Sequence, residues 1–204
     1  MLGDIANWVQ DVIERLGAVG VALLVILENV FPPIPSEIVL PFAGFVARRG
    51  DGSVVAMIFA ATVGAILGAL VLYGIAAVIG PQRLAAFVVR FGRWFGVKPA
   101  DLERAEQWFD RHAVAAVLLG RCVPLIRSIV SIPAGFRRMA MAPFLLYTAI
   151  GSLAWNSALI GAGAILGDQW ERVEPFIAVL QWIVIAAVVL LIARFVGSRL
   201  RRRA

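Results

Sequence analysis

Two pairs of charged side chains interrupt the hydrophobic segments of this chain. Glu28 and Glu37 lie in one such segment, and Arg121 and Arg127 lie in another, much later one. A guanidinium group binds phosphate oxygens through paired hydrogen bonds, while a carboxylate that is removed from water can pair with a guanidinium or take up a proton. These residue types therefore indicate a site that holds a phosphate group and exchanges protons.

Prolines accompany all four charges. A proline lacks the backbone N–H that a helix needs, and its ring clashes with the preceding turn. In a membrane, irregular backbone is tolerated only where it is buried in protein or lines a cavity, and a charged side chain at that depth indicates a functional site. We therefore expect broken helices around an internal cavity. The predicted helix breaks are Pro32, Pro33, Pro35, Pro124 and Pro133.

The amino-acid composition is that of an integral membrane protein. Hydrophobic residues make up 61% of the 204 residues and charged residues only 16%, with a mean hydropathy of +0.90. A soluble domain has roughly a quarter charged residues. We attribute the net charge of +6 to arginines that set the membrane orientation and contact anionic lipids, and we expect no nucleic-acid partner.

Residue types that usually carry catalysis or metal binding are scarce. Cys122 is the only cysteine and His112 is the only histidine. The sequence therefore lacks a cysteine or histidine cluster for a metal and a convincing base for a serine nucleophile. No glycine-rich phosphate loop is present in it. We expect neither an enzyme nor a bound metal or cofactor.

The hydrophobic pattern predicts a single all-α membrane domain with an internal repeat. Repeat 1, residues 16–80, and repeat 2, residues 113–167, each contain one proline-broken segment followed by one uninterrupted apolar span. A span needs about 20 apolar residues to cross a bilayer. A further transmembrane helix is expected at about 176–196. The two repeat spans are predicted at residues 53–79 and 143–166.

The segment between the repeats, residues 81–112, has the pattern of an amphipathic helix that lies at the membrane surface. Asp101 is expected to be the N-cap of this helix, because its short side chain can accept a hydrogen bond from a backbone N–H in the first turn. The apolar face is expected to contain four residues that recur at helical spacing. These are Leu102, Ala105, Trp108 and Phe109.

Small residues support this division of the chain. Ala43-Gly44 in the first broken segment returns as Ala134-Gly135 in the second. Each repeat therefore has the same order of broken segment, Ala-Gly pair and glycine-rich span. Three further glycines recur 87 residues later: Gly64, Gly74 and Gly80 return as Gly151, Gly161 and Gly167.

The distribution of lysine and arginine predicts the orientation in the membrane. If the basic C-terminal tail is cytoplasmic, 13 basic residues face the cytoplasm and 4 face the outside, as the positive-inside rule requires. The two broken segments then enter the membrane from opposite faces as re-entrant hairpins, which is an inverted-repeat arrangement of secondary transporters. The alternative is that residues 16–46 cross the membrane once, which places the N-terminus in the cytoplasm.

At these positions the chain resembles the DedA family of membrane proteins, which share the VTT domain. The resemblance covers roughly residues 16–167. One position departs from the family pattern, since Cys122 stands where an aromatic residue is usual. The matching motifs are Glu28, Pro-Ile-Pro-Ser-Glu37, Ala43-Gly44, Gly120-Arg-Cys-Val-Pro-Leu-Ile-Arg127, Pro133-Ala-Gly135, Met139, Phe144, Gly151 and Trp155.

What the resemblance implies is the translocation of lipids across the bilayer. Bacterial members of the family recycle undecaprenyl phosphate or move phosphatidylethanolamine, and others are tied to maintenance of the proton-motive force. The two essential acidic positions of the family correspond to Glu28 and Glu37, and its two essential arginines correspond to Arg121 and Arg127.

We therefore expect a multi-pass transporter of the cytoplasmic membrane, with a cytoplasmic C-terminus, that moves a phosphate-bearing lipid and is coupled to protons or cations. Arg121 and Arg127 are expected to bind the phosphate, and Glu28 and Glu37 to carry the coupled proton. Two alternatives stay open: an antiporter for a small solute or ion that uses the same charges, and a structural role in which the charges form static salt bridges. The sequence is compatible with an oligomer.

Overall fold

A computed structural model describes residues 2–30, 36–91, 99–124 and 126–166. These residues form seven α-helices, with a short π-helical turn at Ala47–Asp51 after the second one. No strand occurs among them, so the predicted all-α class is confirmed. The helices are α1 (Leu2–Val30), α2 (Ser36–Val46), α3 (Val54–Phe91), α4 (Pro99–Gly120), α5 (Ile126–Ile129), α6 (Ser131–Phe136) and α7 (Met141–Leu166).

Prolines account for two helix ends in the second broken segment. Helix α4 ends at Gly120, four residues before Pro124, and α5 ends at Ile129, four residues before Pro133. A proline cannot donate a hydrogen bond to the carbonyl four residues earlier, and its ring clashes with that carbonyl. Pro133 itself lies in the first turn of α6, where a proline is tolerated. Pro32, Pro33 and Pro35 lie outside the described residues.

Helices α3 and α7 are long and apolar enough to cross a membrane. Their apolar parts, Val54–Ala86 and Met141–Leu166, contain 33 and 26 residues, with hydropathies of 2.5 and 1.5. A span of the hydrocarbon core needs about 20 residues. Large apolar side chains such as Val55, Phe59 and Ile165 are exposed along these helices, as is expected for contact with lipid. Both spans predicted for the repeats are thus found as apolar helices, and the further span at about 176–196 lies outside the described residues.

The two halves of the chain are packed crosswise. Helix α1 packs along α3 and α4 packs along α7, whereas α2 packs on α7 and α6 packs on α3. At the crossings, Gly44 of α2 lies against the backbone of Ile160, and Gly135 of α6 lies against the backbone of Tyr73. Ile160 follows Tyr73 by 87 residues, the spacing of the repeated glycines. Each broken segment therefore contacts the span of the other half.

Buried side chains fall into two clusters on either side of this crossing. Within the second cluster, the ring centroids of Tyr73 and Phe144 are 4.8 Å apart, and the Tyr73 hydroxyl donates a hydrogen bond to the Met139 carbonyl at 2.7 Å. This bond fastens the link between α6 and α7 to α3. Large members of the first cluster are Ile13, Leu24, Leu40, Met57 and Ile160; members of the second are Tyr73, Phe109, Val117, Ala134 and Phe144.

One prediction about the segment before the second repeat was wrong in detail. Helix α4 is described from Pro99 onward, so Asp101 already lies inside the helix and is not its N-cap. The backbone leaves helical geometry at His112 (φ −126°, ψ 18°). Phe109 is 4% exposed and packs in the second cluster, while Trp108 is 57% exposed. Trp108 stacks on the His112 ring, with centroids 5.2 Å apart. An apolar face that lies on a membrane surface is exposed in the protein alone, so the apolar face of this segment stays a prediction.

An exposed ion pair joins α4 to the segment that follows α6. Arg137 donates through Nε to Asp110 Oδ1 at 2.9 Å and through Nη2 to Asp110 Oδ2, and Nη1 contacts Glu106 Oε2 at 3.4 Å. These hydrogen bonds with Asp110 raise the pKa of the Arg137 guanidinium above its usual range. A guanidinium is charged at every working pH, so the ion pair tethers the loop to α4.

Replacing Arg137 with glutamine is expected to lower the free energy of unfolding by only about 0.2–1 kcal/mol, because exposed ion pairs are screened by water and salt. Thermal unfolding of the purified protein at low and high salt checks this. Arg138→Gln is the matched control, since the neighbouring Arg138 is also exposed and forms no ion pair with the described residues. Equal losses of stability in the two variants, or a loss in Arg137→Gln that does not change with salt concentration, would contradict the role of the ion pair.

Candidate functional site

A buried ion pair connects the two broken segments. The Arg127 Nη2 atom, in α5, lies 2.6 Å from Oε1 of Glu28, near the end of α1. Glu28 is 5% exposed and Arg127 is 4% exposed. Beside this pair, the Ser128 hydroxyl donates to Asn29 Oδ1 at 3.4 Å. The structure thus joins two charges that are 99 residues apart in the sequence.

The second predicted carboxylate lies near this pair without joining it. Glu37, in the first turn of α2, is close enough to Glu28 for the two charges to interact. It is half-buried and has no hydrogen-bond or ion-pair partner among the described residues. Its backbone carbonyl also lacks the usual helical partner, because Pro41 lies four residues later and has no N–H. Glu37 therefore adds a carboxylate to the site that no described residue binds.

The second predicted guanidinium is held by hydroxyl groups. Arg121, which is 2% exposed, donates through Nη2 to Ser131 Oγ at 2.7 Å and to Thr148 Oγ1 at 3.4 Å. It is close enough to Arg127 for the two positive charges to interact. Within the described part of the chain, no carboxylate forms an ion pair with Arg121.

A glycine on α7 makes room for this arginine. A methyl group added at Gly151 would approach the Leu118 carbonyl oxygen to 2.7 Å and the Arg121 Cβ atom to 2.8 Å. Such distances are far shorter than an ordinary contact, so any larger residue would push α7 away from the turn that carries Arg121. The repeated glycine found in the sequence thus allows α7 to pack against the site.

The arrangement leaves polar atoms without partners. Nε of Arg121 is buried and has no hydrogen-bond partner in the described residues. Oε2 of Glu28 is also buried and has no partner at hydrogen-bond geometry there, although the Ser36 side chain is close enough to interact with this carboxylate. An ion that is withdrawn from water is costly unless it is paired or hydrogen-bonded. A ligand that brings oxygen acceptors, such as a phosphate group, would satisfy the guanidinium. No group of three His, Cys, Asp or Glu side chains that could hold a metal ion is found in the described ranges.

The pairing differs from the simplest expectation from the sequence, in which two carboxylates face two guanidiniums. One pair forms, between Glu28 and Arg127, while Glu37 and Arg121 have no partner of opposite charge among the described residues. Sequence reasoning also missed Thr148 as a partner of Arg121. Its only signal was a hydroxyl in an apolar span, a position where a polar group needs a partner.

A further polar contact lies apart from the charges. Asn156 of α7 donates through Nδ2 to the Thr62 hydroxyl of α3 at 3.2 Å, and this hydroxyl donates to the Ile58 carbonyl at 2.8 Å. The contact bridges the two apolar helices. It includes no ionisable group and belongs to the packing of the spans.

These features define a helical membrane protein with a charged site in its interior. Comparison with known proteins agrees with this class, because the sequence profile of the VTT domain matches residues 34–165. The chain belongs to the DedA family of membrane proteins, whose members share this domain. The resemblance inferred from the sequence motifs is therefore confirmed. No solved structure matches the chain.

Several relatives align over most of the chain. An alkaline phosphatase-like protein of Lactococcus lactis subsp. cremoris is 41% identical over 177 residues, which cover 86% of this chain and 83% of the relative. Undecaprenyl phosphate transporter A of Staphylococcus aureus is 34% identical over 197 residues, covering 95% and 97%. A protein of the same name from Bacillus subtilis is 28% identical over 174 residues, covering 85% and 82%.

Proposed function

We propose that this protein is a transporter that moves a phosphate-bearing lipid, undecaprenyl phosphate or a phospholipid, across the cytoplasmic membrane. The observation that carries the proposal is the pair of buried arginines in the second broken segment, of which Arg121 has no carboxylate partner among the described residues. Guanidinium groups match the oxygens of a phosphate. The names of the relatives from Staphylococcus aureus and Bacillus subtilis agree with such a cargo.

The crosswise packing of the two halves supports a path for a headgroup. Helix α2 lies on α7 and α6 lies on α3, so the broken segments meet where Glu28 contacts Arg127. In an inverted-repeat transporter the substrate site lies at such a meeting of broken helices, and the halves expose it in turn to each face of the membrane. In this proposal a lipid headgroup moves past the polar side chains around Glu28 and Arg127. Its hydrocarbon chain stays in contact with the exposed apolar side chains of the spans.

Replacing Arg127 with lysine is expected to reduce the amount of polyprenyl phosphate that co-purifies with the protein by about tenfold. Lysine keeps the positive charge but lacks the planar fork that binds two phosphate oxygens, and a hydrogen bond to a charged group is worth about 1.5–3 kcal/mol. Mass spectrometry of lipids bound to gently purified protein measures this. Arg137→Lys, at an exposed arginine outside the site, is the control. Equal occupancy in the wild type and Arg127→Lys would count against phosphate binding at this residue.

We further infer that the two carboxylates link transport to protons. A phosphate that binds Arg127 competes with Glu28 for the same guanidinium, and a released carboxylate in a buried site favours uptake of a proton. Glu37 stands close by without a described partner. Substrate binding and protonation would then favour the same state of the protein, which couples the two through their differential affinity for it.

Glutamine at position 28 or 37 is expected to abolish the pH dependence of lipid transport, because an amide cannot release or take up the coupled proton. The measurement is the flux of a phosphate-bearing lipid in proteoliposomes across a series of pH values for Glu28→Gln and Glu37→Gln. Glu106→Gln serves as the control, since Glu106 is near Arg137 at the exposed ion pair. If both site variants keep the wild-type pH profile, the carboxylates do not carry the proton.

A further inference from the structure

The surroundings of Arg121 leave several hydrogen-bond donors without an acceptor. Its Nη2 atom carries two hydrogens, which are directed to Ser131 Oγ and Thr148 Oγ1. The Nε–H of the same guanidinium is buried and has no partner among the described residues. All three side chains are almost fully withdrawn from solvent, at 2% exposure for Arg121 and 0% for Ser131 and Thr148.

The two hydroxyl groups add donors to the same place. Because each hydroxyl oxygen accepts from Arg121, the hydrogen of that hydroxyl is left to donate elsewhere. Neither Ser131 nor Thr148 donates a hydrogen bond to any described residue. Both oxygens are within hydrogen-bond distance of the same guanidinium nitrogen, so the two hydroxyl groups and the unpartnered Nε–H belong to one cluster of donors around Arg121. Donors gathered around a buried positive charge match a tetrahedral oxyanion.

Arg127 differs from Arg121 in having a counter-charge. Arg127 is already paired with Glu28 at 2.6 Å, so part of its guanidinium is occupied and its charge is offset. Arg121 has no such counter-charge in the described part of the chain. In the state that the structure captures, the charge of Arg121 is therefore not offset by a described carboxylate, whereas that of Arg127 is offset by Glu28.

We propose that Arg121, Ser131 and Thr148 form a phosphate subsite in which the two hydroxyls donate hydrogen bonds directly to the phosphate oxygens. The proposal rests on the proposed function and adds two ligand residues to it. Arg127 joins the subsite after it leaves Glu28. The ligand is the phosphate group of a lipid or free inorganic phosphate, which present the same oxygens.

The test uses the full-length purified protein and two probes, inorganic phosphate and a short-chain isoprenyl phosphate, with affinities measured by isothermal titration calorimetry. Thr148→Val and Ser131→Ala are each expected to weaken binding by about tenfold, because a hydrogen bond to a charged group is lost. Thr148→Ser keeps the hydroxyl and is expected to restore affinity. The matched control is Thr62→Val, which removes a buried hydroxyl from α3 that bonds Asn156 and not the arginine. This control is expected to bind both probes like the wild type.

The possible results separate the subsite from the transport function. Wild-type affinity in folded Thr148→Val and Ser131→Ala, or no phosphate binding by the wild type, overturns the subsite. Hydroxyl-dependent binding of either probe supports it, and the probe that binds identifies a lipid headgroup or free phosphate as the source. A protein that binds phosphate through these hydroxyls but moves no lipid overturns the proposed function and leaves the subsite standing.

Discussion

Replacing Arg127 with methionine is expected to destabilise the protein by about 3–5 kcal/mol, because the Glu28 carboxylate is left buried without its partner. The ion pair is short and nearly inaccessible to solvent, so water cannot replace the lost guanidinium. The matched double variant, Glu28→Gln with Arg127→Met, removes both charges. It is expected to regain most of the stability, since a buried pair can often be replaced by neutral groups of similar volume without loss.

Transport measurements on the same variants separate a working site from a static salt bridge. We expect lipid flux to be lost in Arg127→Met and to stay lost in the double variant, although the double variant folds. Thermal unfolding in detergent reports the stability, and flux in proteoliposomes reports the function. If the double variant recovers flux together with stability, the charges only hold the two broken segments in place.

Adding one methyl group at a helix crossing is the second change with a large expected effect. A Cβ atom at Gly163 would overlap the backbone carbonyl of Pro41, and one at Gly44 would overlap the backbone carbonyl of Ile160. Backbone atoms cannot turn away as a flexible side chain can, so α2 and α7 would have to separate. We expect Gly163→Ala and Gly44→Ala each to cost about 1–3 kcal/mol or more of stability.

Gly161 and Gly74 provide controls at which we expect alanine to have no destabilising effect. A Cβ atom at Gly161 or Gly74 meets no other atom within 4 Å, and alanine favours a helix over glycine by up to about 1 kcal/mol. Gly161→Ala and Gly74→Ala are therefore expected to leave the melting temperature unchanged or to raise it. A drop in all four variants would mean that glycine is needed for flexibility and not for close packing.

Much of the fold could be predicted from local sequence features. The apolar runs that become α3 and α7 are long enough to be recognised without knowledge of their neighbours. Pro124 and Pro133 mark the ends of α4 and α5 because proline acts on the carbonyl four residues earlier. These effects depend only on residues that are close together in the chain. The composition that indicated a membrane protein does not depend on how the chain folds.

The pairing of the charges could not be predicted in the same way. Glu28 contacts Arg127 across 99 residues, and Arg121 contacts Thr148 on a different helix. Which charge meets which partner depends on how α2, α6 and the spans cross, and small residues such as Gly44 and Gly135 set that crossing through backbone contacts. Sequence spacing gives the residue types of the site but not this geometry.

One local detail of the backbone could not be predicted. Helix α4 departs from helical geometry at His112, at the boundary that the sequence predicts between the surface segment and the second repeat. The sequence contains no proline or glycine at this position that would have indicated the departure.

The most direct test of the account is the flux of a fluorescent polyprenyl phosphate across proteoliposomes that contain the wild-type protein, compared with the flux of the matching polyprenyl alcohol. We expect the phosphate to move and the alcohol to stay, and we expect Arg121→Gln and Arg127→Gln to reduce the phosphate flux to the level of empty liposomes. Equal movement of both lipids, or phosphate flux that survives the loss of either arginine, would contradict transport through this site.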